Sequence, residues 1–128
     1  MDALERLEIP PRPATLLYDA IRRSSENLMR KQSGRKAFIL LSDGVDFRSV
    51  NTIGTAIEYA QRADTMVYSI LFAHPMGLNR LNLPGRKGIA ITIARKQTQN
   101  QNRGRTVMER LARETGGGFF EVTKEKSI

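Results

Sequence analysis

The hydrophobic residues of this chain form two kinds of pattern that alternate along the sequence. Apolar side chains recur at helical spacing in residues 14–31, 50–63 and 104–115, so each of these segments is predicted to form an amphipathic helix. Alternating helices and strands indicate an α/β fold with a parallel sheet and right-handed crossovers. The strands are predicted from the unbroken apolar runs KAFILLS (36–42), TMVYSILFA (65–73) and FFEV (119–122).

Local signals indicate where these elements begin and end. Ser49 is predicted to cap the second helix, and Ser33–Gly34 is predicted to end the first. Gly116–Gly118 follows a helix and precedes a strand, which favours a helix C-cap, since phosphate-binding loops run from strand to helix. The two longer apolar runs have the continuity of strands that are buried on both faces of a sheet.

A long insert separates the second strand from the third helix. It spans residues 74–103, which is more than a connection in a compact domain usually needs. Within it, GIAITIA (88–94) is rich in β-branched residues and is predicted to add a strand, whereas the polar stretch KQTQNQNRG is predicted to be mobile. The chain thus divides into an N-terminal segment, residues 1–13, and one α/β domain, residues 14–128.

The amino-acid composition limits the kinds of functional site that the chain can form. Its 128 residues suit a single domain, and it contains no cysteine, which excludes disulfides, zinc–thiolate sites and cysteine nucleophiles. His74 is the only histidine, and no serine has a recognisable base beside it, so the sequence argues against an enzyme. The charged segment 1–13 lacks the apolar core of a secretory signal, and no apolar run approaches the ~20 residues of a membrane span. The compartment is left open.

The net charge of +8 is concentrated in one region. Between Thr65 and Met108 there are seven basic residues and no acidic residue. An acid-free basic stretch is typical of segments that bind nucleic acid, so nucleic-acid binding through residues 74–105 is one functional hypothesis. Against it, this stretch lacks the aromatic side chains on which bases stack. The basic residues are Arg80, Arg86, Lys87, Arg95, Lys96, Arg103 and Arg105.

A carboxylate at the end of the first strand suggests a second kind of site. Asp43 directly follows the apolar run, and Gly44 after it lets the chain turn. In parallel α/β sheets, ligands bind at the carboxyl ends of the strands. A magnesium ion there would bind Asp43 together with a hydroxyl such as that of Thr15, which precedes the first helix. The alternative, which spacing alone favours, is an Asx-turn in which Asp43 accepts a hydrogen bond from the N–H two residues later.

Several segments, in the same order, resemble the von Willebrand factor A-type domain. GRKAFILLSDGVD looks like the strand and turn that follow the middle helix of that family, and TAIEYAQRADTMVYSILF looks like its next helix and strand. ATLLYDAI resembles the segment in which the family places a threonine just before a helix. MERLARETGGGFFEV is similar to a later helix and strand. The resemblance covers residues 14–73 and 104–123. It implies a partial doubly wound, Rossmann-like parallel sheet with flanking helices that lacks the first strands of the family.

The resemblance also implies a function. Domains of this family bind protein partners through a metal-ion-dependent adhesion site, in which a divalent cation, usually Mg²⁺, bridges the domain to an acidic group. Thr15 matches the threonine ligand and Asp43 the late aspartate, with Gly44 and Asp46 around them. Asp46 either supports Asp43 from behind or faces solvent, and solvent is the favoured expectation. The Asp-x-Ser-x-Ser loop that supplies other ligands has no counterpart here, so Mg²⁺ is expected to be absent or weakly bound. The leading hypothesis is a non-enzymatic protein–protein interaction module with an incomplete site.

The missing strands also predict an oligomer. In the family, the strand that matches residues 36–42 lies in the middle of the sheet. Without its neighbour it becomes an apolar edge strand, and an unpaired edge of this kind templates pairing with another chain. We therefore predict a twofold homodimer. In its simplest form strand 36–42 pairs antiparallel with its own copy, and in the alternative form the helix 14–31 or the insert is exchanged between chains to cover the exposed face.

Overall fold

A computed structural model describes residues 14–72 and 87–122 of the chain. His74, Arg80 and Arg86 lie outside these residues, as does the N-terminal segment 1–13. The described elements follow one another in the predicted order. They are helix α1 (Leu17–Asn27), a short 3-10 helix (Met29–Lys31), strand β1 (Lys36–Ser42), helix α2 (Ile53–Arg62), strand β2 (Thr65–Phe72), helix α3 (Lys87–Thr115) and strand β3 (Phe119–Val122).

The three strands form one parallel sheet in the order β1-β2-β3. β1 pairs with β2 along its whole length, with Lys36 opposite Thr65. The shorter β3 pairs with the carboxyl-terminal half of β2, from Ser69 to Phe72. The prediction of an α/β fold with a parallel sheet and flanking helices is therefore confirmed.

All three α-helices pack on the same face of the sheet. The chain moves from β1 to β2 to β3 in one direction, and right-handed crossovers then place α2 and α3 on the same side. α1 joins them by packing against α2. The buried core between the helices and the sheet consists of Leu17, Ile21, Ala56, Ile57, Ala60, Val67 and Leu111, with Phe38, Leu40 and Val107 packed against it.

The opposite face of the sheet is apolar, and no helix in the described part of the chain packs on it. Three of its side chains come from β1, four from β2 and two from β3, which makes nine. The prediction that the longer strands are buried on both faces is therefore wrong on this side, because both crossovers run over the other side. We call these residues the open face: Ala37, Ile39, Leu41, Met66, Tyr68, Ile70, Phe72, Phe120 and Val122.

The length of α3 corrects two further predictions. It is a single helix of 29 residues, so GIAITIA is helical instead of a strand, and the polar stretch KQTQNQNRG continues the same helix. β-branched residues disfavour a helix by less than ~1 kcal/mol each, and Gln, Lys and Arg are good helix formers. The third helix therefore begins at Lys87, well before residue 104. Residues 74–86 of the predicted insert lie outside the described residues.

The helix ends agree with the sequence at one position and differ at another. Gly116 has a φ of +78°, and Gly117 N–H donates to the Ala112 carbonyl at 2.9 Å, so the predicted glycine C-cap is confirmed. α2 begins at Ile53, and its cap is Thr52, whose Oγ1 accepts a hydrogen bond from the N–H of the third helical residue at 3.2 Å. Ser49, the predicted cap, has another role.

Candidate functional site

The turn after β1 holds Asp43 by local hydrogen bonds. Val45 N–H donates to Asp43 Oδ1 at 3.0 Å, and Gly44 N–H donates to Ser42 Oγ at 3.0 Å. The Asx-turn that spacing favours is therefore confirmed. Gly44 has a φ of +75°, in the left-handed region where a side chain would be strained. The carboxylate of Asp43 remains exposed at the carboxyl end of the sheet.

Thr15 and Asp43 lie at the same end of the sheet, as predicted. Phe47 N–H donates to the Thr15 carbonyl at 3.0 Å, which joins the start of α1 to the loop that follows β1. A single carboxylate that already accepts a hydrogen bond, together with one hydroxyl, is a poor donor set for octahedral Mg²⁺. Within residues 14–72 and 87–122, no group of three or more acidic, histidine or cysteine side chains is arranged to hold a metal ion. We assign no metal-dependent step to these residues.

Asp46 and Ser49 bind the first turn of α1. Asp46 Oδ1 accepts hydrogen bonds from Tyr18 N–H at 3.3 Å and from the Ser49 hydroxyl at 2.6 Å. Ser49 Oγ in turn accepts a hydrogen bond from Asp19 N–H at 3.1 Å. The prediction that Asp46 faces solvent is wrong, because the first turn of a helix presents N–H groups without helical partners and this loop supplies their acceptors. Ser49 thus serves α1 instead of capping α2.

Asp19 makes the reciprocal connection from α1 to the same loop. Its carboxylate accepts hydrogen bonds from Val50 N–H at 3.1 Å, from Asn51 N–H at 3.0 Å and from the Asn51 side-chain amide at 2.6 Å. The Asn51 side chain and these backbone N–H groups hold the pKa of Asp19 below its usual value. Burial by itself raises the pKa of Asp46, but hydrogen bonds from Ser49 and from the backbone of Tyr18 outweigh it and hold that pKa low as well.

The two carboxylates and their partners form a network that the sequence does not reveal. They fasten residues 46–51 to the amino end of α1. The cluster of Asp, Ser and Asn in DFRSVN was the only local signal of such bonds, since these side chains commonly accept or donate to nearby backbone groups. Which helix they would bind was not readable from spacing.

α3 crosses the turn after β1 at a pair of glycines. Gly44 and Gly104 are both buried, and a Cβ on either residue would collide with the backbone of the other segment. Because neither residue has a side chain, the helix backbone lies directly against the turn. The crossing sets the direction in which the amino-terminal part of α3 leaves the sheet.

A cavity of about 330 Å³ lies between the turn and α3. Its lining residues from 14–72 and 87–122 include no serine, threonine, cysteine, lysine or histidine, and its two carboxylates are Asp43, which accepts the Asx-turn hydrogen bond, and Glu121, which pairs with Arg105. Arg105 in its wall is neutralised by Glu121 at 2.9 Å and Glu109 at 3.1 Å. We assign no catalytic step to this cavity. Its walls include Asp43, Phe47, Phe72, Gln97, Asn102 and Arg105.

The basic residues of α3 differ in their partners. Arg105 and Arg110 form ion pairs with glutamates one helical turn away. Arg95, Lys96 and Arg103 are exposed and form no ion pair with another described residue. Of the predicted basic patch, Lys87 begins α3, and Arg80 and Arg86 lie outside the described residues.

No protein-family model, curated protein or solved structure matches this chain. Among the described helices, none is both long and apolar enough to cross a lipid bilayer.

Proposed function

We propose that this chain is a non-enzymatic protein-interaction module of the von Willebrand factor A type, and that its binding surface is the open face of the sheet. The open face is the observation that carries this proposal. None of its nine side chains is charged, and eight are hydrocarbon or thioether side chains, Tyr68 being the exception. Parallel sheets are normally covered on both faces, so an uncovered apolar face is a site for a partner.

The size of the open face suits a protein interface. Ile39 is 70% exposed, Leu41 59%, Phe120 57%, Phe72 46% and Val122 43%. Large aromatic side chains carry roughly 150–250 Å² each and aliphatic ones less, so these five side chains leave on the order of 400–600 Å² uncovered. This lies in the upper part of the range of about 300–600 Å² for the largest apolar patch of a typical monomer. The four remaining residues of the open face bring the patch nearer to the ~800 Å² that each partner buries in an interface of standard size.

A second copy of the chain is the partner that we propose for this face. A twofold axis matches the patch to itself and gives the commonest closed symmetry. Two sheets stacked face to face lie about 10 Å apart with interdigitated side chains, so both apolar faces leave water in a single contact. The area available on each copy approaches the ~800 Å² per partner of an interface of standard size.

This arrangement differs from the edge-strand dimer that the sequence predicts. Antiparallel pairing of β1 with its own copy uses a twofold axis perpendicular to the sheet, so both open faces remain on the same side of one six-stranded sheet. Such a dimer joins two apolar faces into a larger one and covers neither. Stacking of the two faces is therefore the form of homodimer that the open face supports.

Light scattering at micromolar concentration tests the homodimer. The native chain should be a dimer, and replacing both Ile39 and Leu41 by Ser should weaken association by at least about 100-fold, since each substitution removes apolar burial from both copies. The matched control replaces Leu28 and Val50, which are 60% and 92% exposed and lie off the open face. A monomeric native chain, or equal weakening in the control, would contradict the proposal.

A cross-linking experiment separates stacking from edge pairing. Because the chain contains no cysteine, a single introduced thiol reports one contact. Tyr68 lies on the central strand, so a short bifunctional maleimide should join two copies of Tyr68→Cys in the stacked dimer. In the edge dimer the middle of β1 meets its copy, and Ile39→Cys should cross-link while Tyr68→Cys should not. Cross-linking of Ile39→Cys without cross-linking of Tyr68→Cys would contradict the stacked dimer and support edge pairing.

A further inference from the structure

The amino-terminal half of α3 extends beyond the sheet. At 1.5 Å per residue, a helix of 29 residues is about 43 Å long, whereas the eight residues of β2 span only about 26 Å. Gly104 lies against the turn at the carboxyl end of β1. Residues 95–103 are therefore on the far side of that crossing, past the ends of the strands.

This extended segment is polar on every side. All of residues 95–103 are exposed except Gln97, which is half-buried. A helix in a globular protein usually has an apolar stripe that packs on a core. A helix without such a stripe must be stabilised by other interactions. Since nothing in this stretch is suited to burial, the segment presents its side chains to a polar partner.

The charge of the segment is uncompensated. Arg95, Lys96 and Arg103 form no ion pair with another described residue, and no acidic residue occurs between Asp64 and Glu109. Helical spacing places Lys96 and Arg103, seven residues apart, on one face. Arg95 lies on the neighbouring stripe with the amide Gln99, whereas Asn102 on that stripe lines the cavity beside the turn. The exposed surface thus combines cations with side chains that both donate and accept hydrogen bonds.

We propose that residues 95–103 bind duplex DNA by entering the major groove, with Arg95, Lys96 and Arg103 contacting backbone phosphates. A polyanion is the partner that complements three unpaired cations. The major groove is about 12 Å wide and admits an α-helix, whose diameter with side chains is about 10–12 Å. Arginine and the amide side chains are also the groups that pair with the edges of guanine and adenine there. The lack of aromatic residues is no obstacle, because duplex bases remain stacked on one another.

Fluorescence anisotropy with a labelled DNA duplex of 20 base pairs tests the proposal on the full chain. Each phosphate contact contributes about −0.9 to the slope of log binding constant against log salt, so three contacts should give about −2.7 for each α3 bound. The variant R95Q/K96Q/R103Q keeps good helix formers, and far-UV circular dichroism should show an unchanged helix. Its binding at 50 mM salt should be weaker by about 30-fold or more, with a slope near zero.

The control is R30Q/K31Q/R35Q, which changes the net charge by the same amount. These three residues are exposed, form no ion pair with another described residue and lie at the amino end of β1, away from the extended segment. The control should bind within about threefold of the native chain. Equal loss in both variants would show attraction by overall charge and would overturn the proposal. Absence of binding by the native chain at 50 mM salt would also overturn it.

Duplex RNA of the same sequence tests entry into the groove. The major groove of an RNA duplex is deep and narrow, so a helix cannot enter it as it enters DNA. Binding to RNA should therefore be clearly weaker than binding to DNA, and equal binding would refute insertion in the groove. The I39S/L41S variant retains all three cations, so its DNA binding separates this inference from the proposed homodimer.

Discussion

Replacing Gly104 by Ala tests whether α3 lies against the turn after β1. In the interior of an exposed helix, this substitution stabilises a protein by about 1 kcal/mol, because Ala has the higher helix propensity. At Gly104 the new Cβ would collide with the carbonyl oxygen of Asp43 and lie 3.1 Å from its carbonyl carbon. These are backbone atoms, so no side-chain rotation relieves the contact.

The expected change in the free energy of unfolding follows from two opposing effects. Insertion of a methyl group into a closely packed contact costs about 1–3 kcal/mol, and a backbone collision belongs in the upper part of that range. The gain in helix propensity offsets about 1 kcal/mol of this cost. We therefore expect Gly104→Ala to lower the free energy of unfolding by about 1–2 kcal/mol. Either α3 or the turn must also shift, which changes the direction of the extended segment.

Urea denaturation followed by far-UV circular dichroism measures this difference. The matched control is Gly54→Ala in α2, where the nearest atom to the new Cβ is Thr52 Oγ1 at 3.7 Å, an ordinary contact. That control should gain up to about 1 kcal/mol. If Gly104→Ala stabilised the protein as much as Gly54→Ala does, the crossing of α3 and the turn would be refuted.

Three further substitutions test the network, the core and a helix cap by the same denaturation assay. Asp46→Asn should destabilise the protein at pH 7, and this loss should shrink as the pH falls below about 4. The reason is that the pKa of Asp46 is lower in the folded protein than in the unfolded chain. Its carboxylate therefore contributes stability above the unfolded pKa of ~3.9, and this contribution is lost as the pH falls through the folded pKa. A difference that stayed constant from pH 7 to pH 3 would contradict this sign. Ser69→Ala should raise stability by up to about 1 kcal/mol, because its fully buried hydroxyl makes no hydrogen bond to a described residue, and a marked loss would show that a partner exists. Thr52→Ala should lower the free energy of unfolding by about 1 kcal/mol, because α2 loses its cap. An unchanged urea midpoint would show that the cap does not contribute to stability.

The order of elements is predictable from the sequence because side-chain periodicity follows directly from backbone geometry. The Asx-turn at Asp43 and the glycine cap at Gly116 are predictable for the same reason, since their hydrogen bonds span only a few residues. The start of α3 is not predictable in this way. The β-branched residues of GIAITIA favour a strand, but differences of under ~1 kcal/mol per residue are easily overridden when the following residues continue a helix.

The candidate site needed the tertiary structure. Asp19 and Asp46 bind groups between 28 and 32 positions away, and Gly44 meets Gly104. No local pattern indicates which distant N–H group a carboxylate will find or which glycine a turn will face. For this reason the role of Asp46 was mispredicted, although its residue type and its loop were visible in the sequence.

The open face shows the same division most clearly. The composition of KAFILLS determines that its residues are apolar enough to be buried on both sides of a sheet. Whether they are buried depends on the direction in which the chain crosses the sheet. Since β1, β2 and β3 follow one another in one direction, right-handed crossovers bring every connecting helix to one side and leave nine residues on the other. The sequence therefore shows which residues are apolar enough for burial, and the path of the chain across the sheet sets which of them still face outward.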